Sequence, residues 1–106
     1  MSDEDIYRPL DPNVIEDVDE EIKEPEMYKV LLHNDHYTTM VFVIEVLQKV
    51  FHKAIIEATK IMLDVHRKGI GVVGVYSYDV ARTKTLQVHS MAREREFPLQ
   101  CSFEKA

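Results

Sequence analysis

The sequence predicts an α+β fold in the order β-α-α-β-α-β, a three-stranded antiparallel sheet packed against three helices, with an extended N-terminal tail. Three observations carry that prediction. Apolar residues recur at spacings of three and four over about residues 40–51, 54–68 and 78–92, as they do in helices with one buried stripe. Shorter alternating or β-branched runs at 28–32, 70–76 and 101–103 read as strands. Residues 1–26 follow neither period.

That first segment carries eleven acids against Arg8 and Lys23, a net of −9, with Pro9, Pro12 and Pro25 as breakers. It cannot bury enough apolar surface to fold alone, so a flexible acidic tail over 1–26 is expected, free or ordering on a partner. The remaining 27–106 form one domain, because a chain of 106 residues supports a single core.

Within the domain, Tyr28, Val30 and Leu32 alternate with Lys29 and Leu31, which predicts a strand with one face firmly buried. The stretch His33-Asn34-Asp35-His36-Tyr37-Thr38-Thr39 reads as a turn, and Thr38 or Thr39 caps the first helix through its hydroxyl. Phe42, Val43, Val46, Leu47, Val50 and Phe51 form that helix's stripe. His52 and Lys53 make a short break before a second helix from about Ala54 to Lys68. Its stripe is Ile55, Ala58, Met62 and Val65, with His66 one turn beyond Met62 and Gly69 as the left-handed cap. Ile70 to Tyr76 is a strand that Gly71 and Gly74 leave open to close approach by another backbone or side chain. Ser77 caps a third helix, Asp79 favours its N-terminal dipole, and Ala81, Thr85, Val88 and Ala92 give its buried face. Pro98 ends it, and Cys101 and Phe103 alternate with Ser102 and Glu104 in a last strand.

Composition excludes several classes of function. Cys101 is the only cysteine, so no intrachain disulfide and no cysteine-based zinc site can form, and a reducing compartment is expected. The acidic start lacks the basic and apolar regions of a signal peptide, and no apolar run reaches membrane-spanning length, which together predict a cytoplasmic protein. An overall charge of −6, with the body's bases scattered, argues against nucleic acid.

No serine stands in a hydrolase elbow, and Cys101 falls on an inward strand position where a thiol is silenced. His33, Asp35, His36 and His66 are the residues a metal could use, but their spacing matches no standard ligand motif. A third possibility is a pocket in which Met40, Val43, Met62 and Val65 converge below Asn34, Asp35 and His66. Periodicity alone also permits Met62 and Val65 to be ordinary core.

The stretches MYKVLLHNDHYTTMVFVIEVLQKVF, ATKIMLDVHRKG, GVYSYDVARTK and PLQCSFEKA resemble, in order, the ClpS family of bacterial adaptors of the Clp AAA+ protease, over about residues 25–106. The resemblance implies an adaptor without enzymatic activity or cofactor, expected to be a monomer. It would bind N-degron proteins that begin with Leu, Phe, Tyr or Trp and deliver them to the ClpA unfoldase for degradation by ClpP. Asn34 and His66 would then accept hydrogen bonds from the α-ammonium, Asp35 would supply compensating charge, and Thr38, Met40, Val43, Met62, Val65 and Leu99 would line the side-chain pocket. Met40 would exclude β-branched residues at the entrance. Asp79 and Lys84 match positions that dock on the ClpA N-terminal domain. Three positions depart from the family's usual pattern: His36 replaces a second acid at the rim, Thr39 a proline and Val41 a glutamate. The competing expectations are an interaction domain resembling that of the ribosomal stalk, with no such pocket, and a small metal-dependent hydrolase.

Overall fold

Alternation puts Val30 and Leu32 on the same side of the first strand, and both are fully buried against helices in the computed structural model, which describes residues 25–106. The expected tail over 1–26 lies outside the described residues except for Pro25 and Glu26. The elements follow the expected order: β1 (Met27–His33), α1 (Met40–Lys49), α2 (Ile55–Lys68), β2 (Ile70–Ser77), α3 (Tyr78–Glu94) and β3 (Gln100–Lys105). β1 is the central strand and pairs antiparallel with both neighbours, giving the sheet order β2-β1-β3.

The pairing of β1 with β2 slips between Val30 and Leu31, whose partners are Gly74 and Val72. Val73 is the extra residue of this bulge, and it turns into the core. The opposite face of the sheet carries Leu31, buried because it sits mid-strand between Val72 and Ser102, while Ile70, Val72 and Val75 stay exposed.

The two threonines before α1 divide their work. Thr39 is the N-cap, accepting the Phe42 N–H on its hydroxyl at 3.1 Å, a bond that contributes about 1 kcal/mol. Thr38 serves the turn instead, donating both its N–H and its hydroxyl to Asp35. Phe42, Val46 and Leu47 then bury the helix stripe, and α1 closes where His52 takes a left-handed φ of 56° and the Lys53 N–H reaches the Leu47 carbonyl at 3.0 Å. Glu45 ties α1 to the far end of α3 through Arg95 at 2.7 Å.

α2 differs from expectation in its register against the core. Its buried residues are Ala58, Ile61, Met62 and Val65, whereas Ile55, in the first turn, is 53% exposed. Gly69 ends the helix with φ 88° as expected, returning its N–H to the Val65 carbonyl.

α3 is anchored at its start by an aromatic cluster, Tyr28, Tyr78 and Phe103, whose rings meet edge-on at 5.4–5.9 Å. Ser77 occupies the N-cap position but makes no side-chain cap bond. The helix stops before Pro98, which corrects the sequence reading. Glu96 adopts φ 60°, its N–H bonds the Arg93 carbonyl at 3.1 Å, and the Phe97 N–H bonds the Ala92 carbonyl at 2.9 Å. These are the paired bonds of a Schellman cap with glutamate where glycine is usual, and the Phe97 ring completes it by packing on Phe42 at 5.0 Å. Pro98 merely follows a helix that has already ended.

Candidate functional site

The turn between β1 and α1 is built around one carboxylate. Asp35 Oδ1 accepts the N–H groups of Tyr37 at 2.8 Å and Thr38 at 2.7 Å, while Oδ2 accepts the Thr38 hydroxyl at 2.7 Å. Partial burial alone would push the Asp35 carboxyl up. The bonds from the Thr38 side chain, the Thr38 N–H and the Tyr37 N–H, with nearby His36, outweigh that and hold it below its ordinary 3.8. The turn thus carries a fixed negative charge.

A backbone bond then joins the turn to α2. The Asn34 N–H donates to the Gly69 carbonyl at 2.9 Å, so the turn is held against the end of the helix whose last turn carries His66. Asn34 and His66, both exposed, are thereby brought to one rim although 32 positions separate them in the chain.

Below that rim lies a cavity of about 370 Å³. Asn34, Asp35, His36 and His66 border it together with Thr38 and Thr39, and Met40, Val43, Met62 and Val65 supply its apolar wall. Met62 and Val65 are 7% and 3% exposed, so each belongs to the core on one side and to the cavity on the other. Both sequence readings of these two residues describe the same side chains. Met40, at the first position of α1, is 43% exposed and stands at the mouth. The space is at the small end of ligand sites and suits one bulky side chain with a charged or polar group held at the lip.

Leu99 does not join this wall. It is buried at the start of β3, and the cavity it borders is a separate one with His89, Phe97 and Gln100. The sheet order explains the separation, since β3 lies across β1 from β2, the strand against which α2 packs. Conversely, Thr39 lines the cavity and was expected only as a helix cap. Its adjacency to Met40 is the only signal the sequence offers for it.

The residues considered for a metal are not gathered. His33 Nε2 lies 2.7 Å from Ser102 Oγ, its cross-strand neighbour, and among the described residues no three His, Cys, Asp or Glu side chains are grouped as a metal ion requires. Cys101 is buried beside the Thr85 hydroxyl, and burial pushes its thiol up to about 11, where it is neither a nucleophile nor a ligand at neutral pH.

Asp79 and Lys84 border a second, shallower depression of about 260 Å³ on α3 with Val80, Thr83 and Gln87. Asp79 is exposed in the first turn of the helix. The Lys84 ammonium is engaged within the fold: it donates to the Val50 carbonyl at 2.7 Å and sits 5.7 Å and 5.8 Å from the ring centres of Phe51 and Tyr76. No helix among the described residues is long and apolar enough to cross a membrane.

Comparison with known proteins agrees with this architecture. Residues 23–102 match the family described as ATP-dependent Clp protease adaptor protein ClpS. The ATP-dependent Clp protease adapter protein ClpS of Syntrophus aciditrophicus is 52% identical over 105 residues, spanning 99% of this chain and 98% of that one. The protein of the same name from Acetivibrio thermocellus is 63% identical over 84 residues, 79% of this chain and 85% of its own. Among solved structures, Agrobacterium tumefaciens ClpS2 bound to L-phenylalaninamide superposes with a TM-score of 0.76 at 37% identity, covering 78% of this chain and all of that one. A cavity framed by Asp35, closed by α2 and roofed by Met40 therefore sits in a chain that belongs to the ClpS family of Clp protease adaptors, which are adaptor proteins and not enzymes.

Proposed function

We propose that the cavity receives the first residue of a substrate chain when that residue is Leu, Phe, Tyr or Trp and its α-amine is free, and that the protein hands such N-degron substrates to the ClpA unfoldase for degradation by ClpAP. The observation that carries this reading is the cavity itself, apolar on the side of Met40, Val43, Met62 and Val65 and rimmed by Asn34, Asp35, His36 and His66. The ligand of the Agrobacterium relative supports it, because phenylalaninamide is a phenylalanine residue with a free α-amine and an amide in place of the following peptide bond.

Two sub-sites act together. Burying a large apolar side chain contributes roughly 1.5–3 kcal/mol, and each hydrogen bond to a charged group about the same. In this reading Asn34 Oδ1 and a neutral His66 imidazole accept bonds from the α-ammonium. Asp35 acts through its field, since both of its oxygens already serve Tyr37 and Thr38. An internal phenylalanine brings no ammonium and would bury these acceptors without partners, so the amine decides which chains enter. Met40 narrows the mouth against side chains branched at Cβ. The α3 surface around Asp79 docks on the ClpA N-terminal domain, with Lys84 holding the adjoining end of α1 through Val50. The acidic segment 1–26 is a tail that engages the unfoldase during delivery, and 27–106 is the adaptor domain.

The test is positional. Fluorescence anisotropy with two labelled peptides of one composition, Phe first in one and second in the other, gives binding only for the first. Equal affinities would overturn the reading.

A further inference from the structure

We propose that Gly71 is a positioning residue that fixes how far Val65 stands from the cavity, and hence how bulky a first side chain the site accepts; the inference rests on the reading above. Gly71 lies on the inner face of β2, paired with Leu32, and it is buried. Its backbone is not left-handed, Gly69 being the only glycine with positive φ, so conformation does not call for glycine here. Space does. A Cβ at position 71 would stand 2.6 Å from Val65 Cγ2, 3.2 Å from the Ile61 carbonyl oxygen and 3.4 Å from the Val65 nitrogen.

Val65 is caught between that strand position and the cavity it lines. Valine in a helix holds essentially one χ1 rotamer, so the side chain cannot swing aside. The other two close atoms belong to the backbone of α2, which offers no flexible group to absorb an added methyl. The methyl is accommodated only if Val65 or the whole helix turn moves away from β2, into the cavity and toward Met62 and His66. The other two glycines show how specific this is. A Cβ at Gly74 would meet only the ring of Tyr76, 3.0–3.2 Å away on the same strand, and at Gly69 it would meet nothing within 4 Å. Gly71 alone touches a residue of the cavity wall.

Gly71→Ala should therefore tighten the floor of the site, sparing short side chains and rejecting long ones. Removing the obstructing methyls with Val65→Ala should relieve it. The experiment is fluorescence anisotropy on the full chain with peptides that differ only in a first residue of Leu, Phe, Tyr or Trp, for wild type, G71A, V65A and the double variant, with thermal denaturation alongside. We expect G71A to lose about tenfold or more in affinity for Tyr and Trp peptides relative to Leu, the scale on which one methyl group discriminates in an apolar pocket. The double variant should regain the aromatic peptides. If G71A is too unstable to purify, V65A should favour Trp over Leu more than the double variant does. Equal losses for all four peptides, an unchanged preference, or a double variant that stays impaired overturns the inference. Wild type binding the free peptides while G71A keeps its preference removes this inference alone, and wild type binding none of them removes the functional reading as well.

Discussion

Replacing Asp35 by alanine deletes three hydrogen bonds at once, those from the Tyr37 N–H, the Thr38 N–H and the Thr38 hydroxyl. A hydrogen bond contributes a net of about 0.5–1.5 kcal/mol, and water can reach the half-exposed turn to replace part of the loss, so Asp35→Ala should cost on the order of 1–2 kcal/mol. For a domain of this size that is a fall in Tm of roughly 5–15 °C. Charge gives the prediction a second axis. The folded carboxyl titrates below its ordinary 3.8, so its stabilisation is fully present above that value and disappears as the pH falls through the lower folded one. The difference in Tm between wild type and Asp35→Ala should accordingly be widest near neutrality and close in acid. Asp35→Asn, which keeps an acceptor for the two N–H groups, should lose less at neutral pH. Thermal denaturation by circular dichroism across the acid range measures all of this. A gap that stays constant into strong acid, or none at neutral pH, would refute the claim that an ionised Asp35 organises the turn.

Met40→Ala should admit peptides beginning with Ile or Val, with a gain of roughly tenfold or more if the side chain becomes buried. Because Met40 is 43% exposed, the change should cost only about 1 kcal/mol in stability; unchanged preferences would show that Met40 is not the gate. Lys84→Met keeps the aliphatic stem but removes the ammonium from the Val50 carbonyl and the faces of Phe51 and Tyr76. A loss of about 2 kcal/mol is expected in denaturant titration, and no loss would contradict the structural role assigned to it. Cys101, buried and with its thiol pushed up to about 11, should resist an aromatic disulfide reagent at about pH 8 in the folded chain and react fully in denaturant. Rapid reaction of the native protein would contradict its burial.

The sequence carried the element order because each period has one reading in this chain: Val30 and Leu32 alternate, Phe42 to Phe51 repeat at three and four, and Gly69 stops α2 with the usual residue for a left-handed position. Where two residue choices were locally equivalent, packing decided. Ile55, Ile56, Ile61, Met62, Leu63 and Val65 allow more than one stripe on α2, and its contact with β2 at Gly71 selects the face holding Ile61 and Val65. Thr38 and Thr39 are equal as caps until Asp35 claims the first of them. The end of α3 was hidden because glutamate, which pays a steric penalty at positive φ, takes the place of glycine at position 96, leaving Pro98 as the more conspicuous signal. The site was half legible. Its residues stood out as a mixed polar and apolar turn, but the meeting of Asn34 with His66 depends on the Asn34 to Gly69 backbone bond, which no sequence period encodes. Leu99 entered through family resemblance and lies instead on the α3 side of the sheet.

The most direct measurement of the central claim compares one phenylalanine-initiated peptide with its N-acetylated form, which keeps the ring and removes the charge. Recognition through the Asn34, Asp35 and His66 rim predicts that acetylation abolishes binding by this chain, whereas comparable affinity for the two peptides would mean that the cavity does not read a free N-terminus.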